Sequence, residues 1–132
     1  MDTNAKSIAE SCLRGAEANT MTFPEIVGIL THARFDGYMI DFRNRSAVYY
    51  PANSDAIALT IHAPAAKLGA TFDAPAVRSA ILDAQSGTPG YTYKGFCEKV
   101  VAAGCAGYLV SLPGRRVLYF GRDGEIHVEH FP

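Results

Sequence analysis

The sequence predicts an α+β fold: a tandem duplication of a helix-helix-three-strand unit, forming one pseudo-twofold domain with an antiparallel sheet and helices packed on one face. Three observations predict it. Residues 22–50 align with residues 92–120 at a constant offset of 70 without a gap. Each copy carries apolar residues first at helical and then at strand spacing. A three-stranded meander with two helices rarely buries its apolar face alone, so the halves are expected to pack together. The single domain is expected to span residues 1–132, with repeat 1 at about 4–61 and repeat 2 at about 73–131.

The repeat is specific. Thr22 meets Thr92, Ala33 meets Ala103, Gly37-Tyr38 meets Gly107-Tyr108, Arg45 meets Arg115 and Tyr49 meets Tyr119. These 6 identities in 29 positions exceed the roughly two that chance gives, so a common ancestor for the halves is expected. Shifting the offset by one extends the match, pairing Ile8, Cys12 and Leu13 with Val77, Ile81 and Leu82, and Ile57 with Ile126.

Those first triplets share one helical face, so each unit opens with a helix, and Pro75 is tolerated in a first turn. Phe23, Ile26, Val27 and Leu30 follow Thr22-x-x-Glu25, which has the form of a capping box. Tyr93, Phe96, Cys97, Val100 and Val101 repeat that stripe. The second helices are expected to end near Arg34 and Gly104, giving way to aromatic and β-branched strands at Tyr38 to Phe42 and Tyr108 to Leu112. Turns at Arg43-Asn44-Arg45 and Pro113-Gly114-Arg115 lead into Ala47 to Tyr50 and Val117 to Phe120. Third strands are expected at 56–61 and 125–130, with 62–74 as linker and 85–90 as an interhelical loop.

Composition excludes several classes. A formal charge of -1, from 12 basic and 13 acidic residues with no long run of either sign, leaves no footprint for nucleic acid or anionic lipid. The opening residues have no basic leader and no stretch approaches the length of a membrane span, so a cytoplasmic location without membrane association is expected. Cys12, Cys97 and Cys105 lack C-x-x-C spacing and are expected to be buried, reduced thiols.

Three strings, TFPEIVGIL, YKGFCEKVVAAGCAGYLVSLPGRRVLYFGRDGE and IHVEHFP, resemble the DUF1398 or YbcV-like proteins, a bacterial and phage-associated family of unknown function. Some members carry the label phage envelope protein. The similarity is closer in the second half, because YYPANSDAIALTIHAP lacks both the Gly-bearing turn and the His-x-Glu of the closing string. It implies an α+β fold but no activity, cofactor or partner.

Strand alternation places Tyr38, Ile40 and Phe42 with Tyr108, Val110 and Leu112 against the helices, and Asp41 and Ser111 on the other side. Ile126 and Val128 are expected to face inward, with His130 near the strand end, while His127, Glu129 and Phe131 take the opposite face, where Tyr119 could join them. Tyr119, His127 and Glu129 then offer an imidazole, a carboxylate to orient it and a phenol, a set able to hold a polar ligand. The bland alternative is a His-Glu pair solvated on an open sheet face. His130 and the hairpin-tip Arg115 complete the ligand-binding candidates; Arg115 suits a phosphate or acidic partner.

No metal is expected, since His127 and His130 differ by an odd number of positions and point to opposite faces. No G-x-S-x-G, Walker or dinucleotide spacing is present, and no cofactor is expected. The leading expectation is a non-enzymatic module binding a protein partner or a small polar ligand, in line with the phage-associated resemblance. The alternatives are a small hydrolase or isomerase using His127, Glu129 and Tyr119, and a phage structural component. Exposed strand edges make a homodimer a further expectation.

Overall fold

Thr22 starts a helix because its side chain and that of Glu25 exchange hydrogen bonds with the backbone. The Glu25 N–H donates to Thr22 Oγ1 at 3.3 Å and the Thr22 N–H donates to Glu25 Oε1 at 2.8 Å, completing the expected capping box. Thr92 caps one-way, accepting from the Gly95 N–H at 3.0 Å, and Asp73 likewise accepts from the Ala76 N–H at 3.1 Å. A computed structural model describes residues 3–62, 64 and 66–132. Met1 and Asp2, at the start of the expected domain, and Ala63 and Ala65 of the expected linker lie outside the described residues.

Among the described residues the order is α1 (Thr3–Glu17), α2 (Phe23–His32), β1 (Phe35–Asp41), β2 (Ser46–Pro51), β3 (Ile57–Thr60), α3 (Ala74–Ser86), α4 (Tyr93–Ala102), β4 (Cys105–Ser111), β5 (Arg116–Gly121) and β6 (Ile126–His130). Four helices thus accompany six strands, which form one antiparallel sheet in the order β3-β2-β1-β4-β5-β6. The central seam joins β1 to β4, with Met39 opposite Leu109 and Gly37 and Asp41 opposite Ser111 and Gly107.

The helices cover one sheet face. Tyr38, Ile40, Phe42, Tyr108, Val110 and Leu112 are all buried there, the set that alternation placed inward. Cys12, Cys97 and Cys105 are buried free thiols. Leu82, expected on the packed face of α3, is instead 48% exposed, whereas Val77 and Ile81 are buried. None of the helices among the described residues is long and apolar enough to cross a membrane.

The last strand departs from expectation in phase. Directly paired residues on neighbouring strands share a face, and His127 pairs with Tyr119 while Glu129 pairs with Val117. Tyr119 and Val117 are buried against the helices, so His127 and Glu129 lie on the helix-covered face, and Ile126, at 59% exposure, lies on the open one. Hydrophobicity misled the assignment because β6 is an edge strand: its outer side carries the exposed Ile126, and its inner side sits at the rim of the helix layer, where polar groups remain partly exposed. The same register sets His127 opposite Tyr119 as Ile57 stands opposite Tyr49. Ile57 therefore corresponds to His127 rather than to Ile126.

Glu17 fastens the end of α1 to the end of the first meander. Its carboxylate accepts from Arg14 Nη1 at 2.6 Å and from the His62 N–H at 2.9 Å, and it lies 3.0 Å from His62 Nδ1. Burial by itself raises its pKa, but the His62 and Arg14 hydrogen bonds outweigh burial and leave the pKa below the ordinary glutamate value. The carboxylate is thus favoured in the folded chain. Its contribution to stability is complete above the ordinary value of about 4.3 and is lost as pH falls through the lower folded value. Carbon-13 titration of the carboxyl is expected to show the depressed midpoint, and Glu17→Gln to flatten acid-side stability. A midpoint at or above the ordinary value would contradict this.

Candidate functional site

The helices do not close onto the middle of the sheet. Between them lies a cavity of about 670 Å³, walled by Cys12, Leu13 and Ala16 of α1, Ile26 of α2, Ile81 and Ala84 of α3, and Tyr93 and Phe96 of α4. Its floor is the inner sheet face. A volume of this size falls within the roughly 300–1,000 Å³ of sites that hold small molecules.

Tyrosines dominate the floor. Tyr49, Tyr38, Tyr108 and Tyr119 come from the four adjacent strands β2, β1, β4 and β5 and form a continuous row of rings. Tyr38 stacks on Tyr49 at 4.9 Å between centroids, meets Tyr108 edge-on at 6.4 Å, and Tyr108 lies 5.4 Å from Tyr119. The row follows from sequence: Tyr38 and Tyr108, like Tyr49 and Tyr119, sit at inward positions, and Tyr38 pairs with Tyr49 as Tyr108 pairs with Tyr119.

Their hydroxyls differ in partnership. Tyr93 and Tyr108 satisfy each other across 2.6 Å. Tyr38, Tyr49 and Tyr119 are 5%, 2% and 7% exposed, and their hydroxyls have no hydrogen-bond partner among the described residues. Sealing a hydroxyl from water without a partner costs about 1–3 kcal/mol. No described polar side-chain atom is sealed in that way, so these three hydroxyls open onto the cavity they line.

Burial raises the pKa of all five of these tyrosines, so they remain neutral donors and acceptors at physiological pH. Burial also pushes the Cys97 thiol up to about 12 and the Cys105 thiol up to about 11, and it raises Cys12, which lines the cavity. None of these groups is an activated nucleophile. Among the described residues, no three His, Cys, Asp or Glu side chains gather as a metal-binding set.

The mouth opens between the α1–α2 loop, the C-terminal end of α3 and the end of β6. Asn19, Met21, Gln85 and Tyr91 line it together with residues 129–132. Asn19 Oδ1 accepts from the Tyr93 N–H at 2.9 Å, tying the first loop to α4. Phe23, 38% exposed, meets Phe131 edge-on at 5.4 Å, so an aromatic pair flanks the opening.

The five sequence candidates fall into distinct places. Tyr119 and Glu129 both line the cavity. His127 Nε2 lies 2.8 Å from Glu129 Oε2, and its ring is 6.4 Å from that of Tyr119, so the three come together on the helix-covered face, at the rim of the helix layer, rather than on the open face. His130 is exposed at the rim. Arg115 does not join the cluster: its guanidinium lies over the Phe131 ring at 5.6 Å, and its carbonyl accepts from the Phe131 N–H at 2.9 Å. It supports the mouth from behind.

Sequence reasoning missed Tyr38, Tyr93 and Tyr108 as site residues, reading them as packed core. Four tyrosines at equivalent inward strand positions were the available signal, because phenol is a poor choice for a dry core that offers its hydroxyl no partner.

The model of a family described as protein of unknown function, DUF1398, matches residues 13–130. No curated protein matches the chain.

Proposed function

We propose, for a chain that belongs to the DUF1398 family of unknown function, that it is a non-enzymatic module which binds a small molecule between its helices and its sheet. One observation carries this reading: Tyr38, Tyr49 and Tyr119, each more than nine-tenths buried, direct unpartnered hydroxyls into a cavity of about 670 Å³. An apolar enclosure with a few convergent polar groups is the usual form of a small-molecule site. A ligand there gains contact with ring faces and supplies the hydrogen bonds that the three phenols lack.

The reading favours a small molecule over a protein partner because the polar groups converge inside the fold. It ranks above a hydrolase or isomerase because the thiols and phenols at the cavity are held in their neutral forms. Duplication fits it as well. Two successive helix-helix-strand-strand-strand runs, joined by the β1–β4 seam, would bring one half-wall each to a shared cavity around a pseudo-twofold axis.

Binding of the neutral fluorophore phenylnaphthylamine tests the site. The native protein is expected to bind it at a single site with enhanced emission. Ala84→Trp, which fills the cavity from α3, is expected to abolish that signal while retaining the native melting temperature within a few degrees. Undiminished binding in a folded Ala84→Trp protein would refute the location.

A further inference from the structure

We infer that the cavity is built for a ligand joining an apolar, ring-sized body to a cationic amine, with the ammonium seated against Glu129 at the mouth. The inference rests on the small-molecule reading above and adds the chemical class. Among the described residues, Glu129 is the only Asp, Glu, Lys or Arg lining the cavity. None of the described lysines or arginines lines the wall, and the only basic groups near the carboxylate are the imidazoles of His127 and His130, so an anionic ligand would be brought beside a negative charge with no permanent cation to meet it.

The carboxylate is suitably held. Its side chain is 26% exposed and Oε2 lies 2.8 Å from His127 Nε2, which fixes its orientation from the strand side. Oε1 has no protein partner among the described residues and is free to accept from a donor in the cavity. Glu129's charge also contributes to the raised pKa of Tyr119, placing it within electrostatic reach of the floor. From Glu129 inward the surface is aromatic, and the faces of Tyr119 and its neighbours attract a cation as well as an apolar ring. In the first half of the chain, Leu59 pairs with Ala47 as Glu129 pairs with Val117, so the acidic end belongs to one end of the cavity only. That asymmetry gives a bound amine one orientation.

Calorimetric titration at neutral pH with naphthylmethylamine, naphthylmethanol and naphthoate tests the inference, since the three share one body and differ in charge. The native protein is expected to bind the amine at least about tenfold more tightly than the alcohol, and the carboxylate least. Glu129→Gln is expected to bring the amine within about threefold of the alcohol while leaving the alcohol unchanged. In the native protein, raising salt from about 0.05 to about 0.5 M is expected to weaken the amine and spare the alcohol, a readout that needs no variant. Equal affinity for amine and alcohol, or a preference that survives both Glu129→Gln and salt, overturns the amine assignment and leaves the cavity reading standing. Failure of all three compounds to bind overturns both.

Discussion

Gly107→Ala is expected to destabilise the protein by more than about 3 kcal/mol, a large part of the roughly 5–15 kcal/mol that holds a domain together. The position lies on the β1–β4 seam, opposite Asp41 of β1 and Phe120 of β5. A Cβ built there falls closer than 3.0 Å both to the Ile40 carbonyl oxygen and to the Phe120 ring. The ring could move. The carbonyl could not, because Ile40 is buried mid-strand and its backbone is part of the sheet. Gly37 occupies the matching place on β1, where a Cβ would strike the Val110 carbonyl oxygen and the backbone sits at φ +155°. Urea unfolding of Gly107→Ala measures the loss directly, and a change below about 1 kcal/mol would show that the seam is not close-packed as described.

The second large effect separates true core from cavity wall. Leu30→Ala is expected to cost about 3–5 kcal/mol, because Leu30 is fully buried on α2 and packed on every side away from the cavity. Ile81→Ala is expected to cost nearer about 2 kcal/mol although Ile81 is only 3% exposed, since its inner side faces the cavity and touches fewer atoms. Leu82→Ala, one residue on and 48% exposed, is expected to change stability by less than about 0.5 kcal/mol. Equal costs for Leu30→Ala and Ile81→Ala in urea unfolding would mean that the helices close onto the sheet after all.

Much of the architecture was legible because local chemistry determined it. Thr22 and Glu25 carry a capping box that the backbone uses, and Tyr38, Ile40 and Phe42 alternate inward as period-two spacing requires. β6 was legible as a strand but not in phase. Ile126 and Val128 are its most hydrophobic residues, yet phase in an edge strand is set by pairing to β5, which sequence does not reveal. The gathering of Tyr119, His127 and Glu129 was legible as a set, though its enclosure was not. The cavity itself was hidden. Periodicity says which way Tyr38 and Tyr108 point, not how closely α1 to α4 approach them, and a tyrosine pointing inward reads alike above a packed core and above a void.

Methyl-resolved NMR during a titration with naphthylmethanol tests the central claim, that a small molecule enters the space between helices and sheet, most directly. Ile26, Ile40 and Ile81 line the cavity, while Ile29 and Ile126 lie exposed, at 38% and 59%. The expected result is saturable, single-site shifts of the Ile26, Ile40 and Ile81 methyls, with contacts to the naphthalene protons, while Ile29 and Ile126 stay in place. Shifts confined to Ile29 or Ile126, with the three cavity methyls unmoved at saturation, would contradict it.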